Sequence, residues 1–145
     1  MRKVEFGSPA WMELVADLFR QAAVASPSPL PDLTLCEMYR NAPRHLTLEG
    51  SRDIAWTLRI RAGAVTMAPE SCDDAEADRK SESEYGEAIE LARFVITAEN
   101  AACYIERLAD LERRGKYRKV RDVLPNSGEL AAFAAVHNVI AQATK

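Results

Sequence analysis

Two histidines, three cysteines, one acidic cluster and one basic run are the parts of this chain able to do chemistry. His45 and His137 are its only histidines, and a histidine near neutral pH can act as general base or metal ligand. Neither has a second ligand close in sequence. His137 falls in the apolar arc of a C-terminal helical pattern, so it reads first as a core-edge histidine with one ring nitrogen hydrogen-bonded, and second as a weak catalytic candidate, ahead of His45. Asp73, Asp74, Glu76 and Asp78 gather carboxylate oxygens of the kind a divalent cation takes. The glycine and the ligand rhythm of a calcium loop are absent, so the cluster reads as a solvated acidic loop and no metal is expected. Cys36, Cys72 and Cys103 are odd in number, far apart and without C-x-x-C spacing, which fits free thiols in a reducing, cytoplasmic setting. Arg113, Arg114, Lys116, Arg118, Lys119 and Arg121 surround Tyr117. Such a run can touch phosphate or lipid headgroups, although it reads first as a solvated helix end followed by an exposed strand. No H-E-x-x-H, G-x-S-x-G or glycine-rich phosphate loop is present, so no cofactor is expected.

The elements that must position these groups are legible from periodicity. In 145 residues, 48% hydrophobic and 28% charged, there is material for one domain with a real core. The net charge of −3 supplies no field to attract nucleic acid. No apolar run approaches the length of a membrane span, and the basic Met1-Arg2-Lys3 start is not followed by the apolar stretch of a secretory signal.

Residues 53–69 carry the clearest pattern. Ile54, Trp56, Leu58 and Ile60 alternate with Ala55, Thr57, Arg59 and Arg61, the period of a strand with one apolar face. Gly63 sits where a tight turn reverses the chain, and Val65 and Met67 resume the alternation. A lone hairpin is not stable in water, so the Trp56 face needs a cover of helices. Ser8-Pro9 starts the first helix, with Trp11, Leu14, Val15, Leu18, Phe19 and Ala22 on its stripe. The S-P-S-P-L-P stretch at 26–31 ends it near Ala25. Residues 33–41 read as a first strand whose two faces both mix apolar and polar groups, leaving the inward face open. Residues 44–50 are a short strand or an ordered loop. Residues 77–84 lack apolar alternation and read as loop by composition, or by position as a short polar edge strand.

Residues 85–96 read as a helix. A second helix is capped by Thr97 and ends at Arg113, Arg114 and Gly115. Residues 116–120 read as a last short strand, and a final helix is capped by Ser127, its stripe running through Leu130, Phe133, Val136 and Ile140. The order implies an α+β fold: an antiparallel-rich sheet of about five strands with helices on one face, in a single domain spanning residues 1–145.

Several of these segments resemble the sterol carrier protein-2 (SCP-2) superfamily, in particular its bacterial members. DIAWTLRIRAGAV at 53–65 is similar to the family's strand-glycine-strand hairpin, Ala77-Asp78 to the start of its next strand, and Tyr85-x-x-Ala88-x-x-Leu91-Ala92 to its alanine-rich helix. RGKYRKV at 114–120 resembles the late basic strand, and AVHN at 135–138 a short C-terminal element of some members. The resemblance runs from Leu33 to the C-terminus. The segment Arg79-Lys80-Ser81-Glu82-Ser83 departs from the family's apolar alternation.

The resemblance implies a five-stranded sheet with an apolar cavity between sheet and helices that takes sterols, acyl chains or other lipids. Trp56, Leu58, Ile60 and Met67 would floor that cavity. Leu91, Phe94, Val95, Phe133, Val136 and Ile140 would wall it. The expected partner is thus a lipid or other hydrophobic small molecule. Arg113, Arg114, Lys116, Arg118 and Lys119 would supply any peripheral membrane contact, and a homodimer stays open. Two alternatives stand beside the lipid-binding reading. One is a small enzyme using the same cavity, with His137, His45, Tyr39 or Tyr104 as acid or base. The other is a protein-interaction module with a closed core, in which Trp56 and Trp11 are ordinary core residues.

Overall fold

The computed structural model describes residues 2–124 and 131–145, with side chains described from Ala135 onward in the last segment. The expected breaks and caps at Pro125 and Ser127, and the side chains of Leu130 and Phe133, lie outside the described residues. The order of elements is α1 (Pro9–Ala25), β1 (Leu33–Arg40), a 3-10 turn (Arg44–Leu46), β2 (Ile54–Arg61), β3 (Ala64–Ala68), β4 (Arg79–Glu84), α2 (Tyr85–Arg93), α3 (Ala101–Arg113), β5 (Tyr117–Asp122) and α4 (Ala131–Ala143). The strands form one five-stranded sheet in the order β3-β2-β1-β4-β5. Every pairing is antiparallel except β1 with β4, so the sheet is mixed and mostly antiparallel.

α1 begins as its residues dictate. Ser8 is extended, its Oγ accepts from the Trp11 N–H at 3.1 Å, and Pro9 fills the first turn. Just before it, Gly7 has φ +79°, and a Cβ there would lie 2.5 Å from the Ile54 side chain, so a larger residue would be strained and would push Ile54 aside. The helix buries Trp11, Val15, Ala16 and Phe19 against the sheet. Register identifies the inward face of β1. Leu33, Leu35, Glu37 and Tyr39 lie opposite Ile60, Leu58, Trp56 and Ile54, and all eight belong to the helix-covered side. Leu58 and Ile60 are 0% exposed, enclosed in a core with Val15, Phe19, Leu30 and Val65.

The polar segment 79–84 is a full strand and not an edge. It lies between β1 and β5, with Arg79, Ser81 and Ser83 opposite Leu35, Glu37 and Tyr39 on the helix side. Its back-facing residues are satisfied by charge. Lys80 Nζ donates to Cys72 O at 2.7 Å and meets Asp74 Oδ1 at 2.8 Å, and Glu82 accepts from Arg118 at 3.1 Å. The edge position expected for it belongs to β5, which is two residues longer at its end than the 116–120 reading.

To reach the far side of β1, residues 69–78 cross the sheet's back face. Cys72 and Ala77 cluster there with Cys36, and Asp78 clasps Thr34 through two bonds, Thr34 N–H to Asp78 Oδ2 at 2.8 Å and Asp78 N–H to Thr34 O at 2.9 Å.

α2 stops at Arg93, three residues before the periodicity does. Asn138 of α4 takes both backbone groups of Ile96, its Oδ1 accepting the N–H and its Nδ2 donating to the carbonyl, each at 2.8 Å. Those groups are held outside any helix. α3 starts at Ala101, where Thr97 and Asn100 exchange side-chain to backbone bonds of 2.7 and 3.3 Å in the preceding turn. Residues 44–50 form the 3-10 turn and a loop, with no strand.

The β2–β3 hairpin closes on Ala62 and Gly63, both at positive φ (+50° and +81°), the backbone of a two-residue turn whose twist suits the strands. Ala62 is strained there, and Asp32 Oδ1 holds its N–H at 2.9 Å. Ala62→Asn keeps that bond and relieves the strain, so urea unfolding should show the variant more stable by about 0.5–1 kcal/mol.

Candidate functional site

The polar inward face of β4 leaves a chamber between the β1/β4/β5 half of the sheet and helices α2, α3 and α4. Its larger compartment has a volume of about 240 Å3, with Glu37, Tyr39, Ser81, Ser83, Tyr104, Tyr117 and His137 against Ala88, Leu91, Ala92, Leu108 and Ile140. A second compartment of about 200 Å3 shares Glu37, Arg79, Ser81, His137 and Ile140 and extends to Phe19, Leu35 and Val136. The two meet at Glu37.

Glu37 is the chamber's most distinctive group. It is part-buried, and desolvation raises its carboxyl above the ordinary 4.5; the Tyr39 hydroxyl bond and the Arg79 charge work in the opposite direction but are smaller. The chain of bonds behind it is continuous: Trp56 Nε1–H donates to Tyr39 Oη at 2.8 Å, and Tyr39 O–H donates to Glu37 Oε2. Burial, then the Glu37 charge, pushes the Tyr39 phenol well up, and the same two causes push Tyr104 up to about 12 and raise Tyr117. All three phenols therefore stay neutral, and Tyr39 donates to Glu37. His137 Nε2 lies 2.8 Å from the Phe94 carbonyl and so donates to it, and its ring packs edge-on to Tyr104 with centroids 5.6 Å apart.

A second space lies at the opposite end of the sheet. β3 ends at Ala68 opposite Thr57, so residues 54–56 of β2 have no strand beyond them. The groove left there, about 710 Å3, runs between the first half of α1, this uncovered edge and the loop 46–53. Its lining is largely apolar: Met12, Ala16, Met38, Leu46, Leu48, Ile54, Ala55, Met67 and Pro69, with Glu13, Arg20, Ser51, Asp53 and Glu70 among them.

The residues expected to line a single cavity are divided by the fold. Leu91 lines the larger chamber compartment, Val136 the smaller and Ile140 both. Met67 lines the groove. Leu58 and Ile60 are enclosed in the core, and Trp56 is 6% exposed, one bond behind the chamber through Tyr39. Phe94 stacks on Tyr104 with centroids 5.3 Å apart and Val95 is at the surface. The side chain of Phe133 lies outside the described residues. Glu37, Ser81 and Ser83 were missed as site residues. The signal for them was available, since a carboxylate on a strand of otherwise apolar inward residues needs a reason.

The other chemical candidates are absorbed structurally. Asp74 pairs with Lys80, Glu76 with Arg59 at 2.6 Å, and Asp78 with the Thr34 backbone. His45 is exposed and 2.6 Å from Glu5. Burial pushes the Cys72 thiol up, away from reactivity. Arg113 and Arg114 pair with Asp110, Arg118 with Glu82, and Arg121 donates to the carbonyls of Asp74 and Ala75. Much of the basic run thus makes surface pairs within the protein, its side chains staying exposed. Among the described residues no helix is long and apolar enough to cross a membrane, and no group of three potential metal ligands gathers.

Two outcomes test the Glu37 network. Tyr39→Phe leaves the buried Trp56 N–H without its acceptor and should cost about 1–3 kcal/mol in urea unfolding. Glu37 binds its proton more tightly folded than unfolded, so its favourable contribution is present at acidic pH and is lost as pH rises through its raised value. Glu37→Gln should therefore gain thermal stability over the wild type between pH 4 and 7, the difference growing with pH; a constant difference would contradict the placement.

No protein-family model and no curated protein matches the chain. Solved structures do. A conserved hypothetical protein of Thermus thermophilus, described as possibly a sterol carrier protein, matches over 100% of this chain and 94% of its own at 15% identity and a TM-score of 0.51. A crystal structure of sterol carrier protein 2 matches over 96% of each chain at 17% identity and a TM-score of 0.48. The ubiquinone synthesis protein UbiJ-SCP2 matches over 95% of this chain and 96% of its own at 14% identity and a TM-score of 0.44. The fold of this chain is SCP-2-like.

Proposed function

We propose that the protein binds a lipid or other hydrophobic small molecule, and that the groove between α1 and the uncovered edge of β2 receives it. The observation that carries this reading is the groove itself. At about 710 Å3 it has the size of a ligand site, and three of the chain's four methionines, Met12, Met38 and Met67, line it. Methionine is flexible and polarizable and moulds to apolar ligands of irregular shape. The likeness of fold to a Thermus protein suggested to be a sterol carrier supports the same ligand class.

The physical basis is apolar burial. An acyl chain or ring system laid on Met12, Ile54 and Met67 removes its own surface and theirs from water, at about 25 cal/mol per Å2. Glu13, Arg20 and Ser51 stand among these residues, where a polar end of the ligand can stay near water.

A fluorescent fatty acid titrated into the purified protein should show saturable uptake. Met12 and Met67 are only partly buried, so Met12→Asp and Met67→Asp should fold, and each should weaken uptake tenfold or more, about 1.4 kcal/mol. Absence of saturable uptake by the wild type, or uptake unchanged in both variants, rules the groove out.

A further inference from the structure

Glu37 poses a problem that the apolar groove does not address. Its side chain is part-buried in the chamber wall, and a charge held partly out of water is costly unless an opposite charge or enough hydrogen bonds compensate it. Among the described residues only Tyr39 donates to it, on one oxygen. One cation, Arg79, also lines the chamber, and its charge favours the ionised carboxyl without bonding to it. Arg79 has a half-exposed side chain turned to Asp122, 3.9 Å from Nε to Oδ2, and makes no hydrogen bond to Glu37. His137 commits Nε2 to the Phe94 carbonyl. A charge left short of partners inside a cavity is a binding determinant for whatever supplies the missing charge.

The walls narrow the class. Tyr39, Tyr104 and Tyr117 come from three different elements, β1, α3 and β5, and each lines the chamber near enough to Glu37 to feel its charge. Neutral aromatic rings around a carboxylate are the surroundings that suit an organic cation. The ring faces attract the spread positive charge, the carboxylate neutralises it, and no strong hydration shell has to be replaced. A metal ion would want several oxygens, and only one carboxylate lines the chamber. At about 240 Å3 the larger compartment suits a compact ligand, not a long chain. We propose that the chamber around Glu37, walled by Tyr39, Tyr104 and Tyr117, is a second binding site, specific for a small organic ammonium ion.

This site goes beyond the lipid-binding reading. Chamber and groove share no lining residue, so either can fail alone.

Three probes of one shape and different charge test it by calorimetry or amide chemical-shift titration of the full chain: choline, its neutral isostere 3,3-dimethyl-1-butanol, and the anion 3,3-dimethylbutanoate. Choline should bind saturably and at least tenfold more tightly than the other two. Glu37→Gln should abolish that preference while leaving fatty-acid uptake by the groove unchanged, and this retained uptake, with a cooperative melt, shows that the variant is folded. Tyr104→Leu leaves the carboxylate in place and should weaken choline several-fold. Binding of the neutral alcohol as tightly as choline, preference for the anion through Arg79, choline binding undiminished in Glu37→Gln, or no binding of choline at all would each overturn the proposal.

Discussion

β1 is hydrogen-bonded on both sides, antiparallel to β2 and parallel to β4, and a parallel neighbour cannot be reached by a tight turn. The chain must leave β3 at one edge of the sheet and return on the other side of β1. That constraint organises the molecule. Residues 69–78 make the passage over the back face, where they bury Cys36, Thr34 and Thr57 and give Lys80 its carbonyl and carboxylate partners. The helices are left to the opposite face. The acidic cluster, which on its own suggests cation binding, is the part of this passage that offsets Lys80 and Arg59 with opposite charge.

The same arrangement divides the helix-covered face in two. Over β2 and β3 the inward side chains include Leu58, Ile60 and Val65, which are buried in the core under α1. Over β4 they are Arg79, Ser81 and Ser83, which are polar and line the chamber, and apolar side chains of α2 to α4 do not fill the space over them. A strand of such composition is tolerated in the middle of a sheet because its backbone is fully paired by β1 and β5 while its side chains meet a chamber on one side and ion pairs on the other. Burying Glu37 beside it costs stability. Proteins accept that cost where a group has a task, so the expected gain in stability of Glu37→Gln and its expected loss of cation preference are two readings of one fact.

Much of the fold was legible from residues alone. Period-two alternation identified β2 and β3, Gly63 their turn, and the Ser8-Pro9 cap with its apolar stripe identified α1, because these are local effects of backbone sterics, capping and one-sided burial. The resemblance to SCP-2 proteins correctly indicated the five-stranded sheet with helices on one face. The inward face of β1 was not legible, since Leu33-x-Leu35-x-Glu37-x-Tyr39 and Thr34-x-Cys36-x-Met38 carry similar apolar content, and only register against β2 separates them. The strand 79–84 was open between loop and edge strand, and its place inside the sheet was not legible, because its stability comes from neighbours on both sides and not from its own composition.

What the sequence determined by itself, then, is most of the elements and an apolar surplus, since propensity and periodicity are properties of a short stretch of chain. Tertiary structure decided where that surplus closes and where it stays open. It sent Leu58 and Ile60 into a sealed core, gathered Met12, Met38 and Met67 from three distant elements into one groove, and set Glu37 among Tyr39, Tyr104 and Tyr117. Cavities are the volume left over when elements pack, and no single stretch of sequence records that remainder.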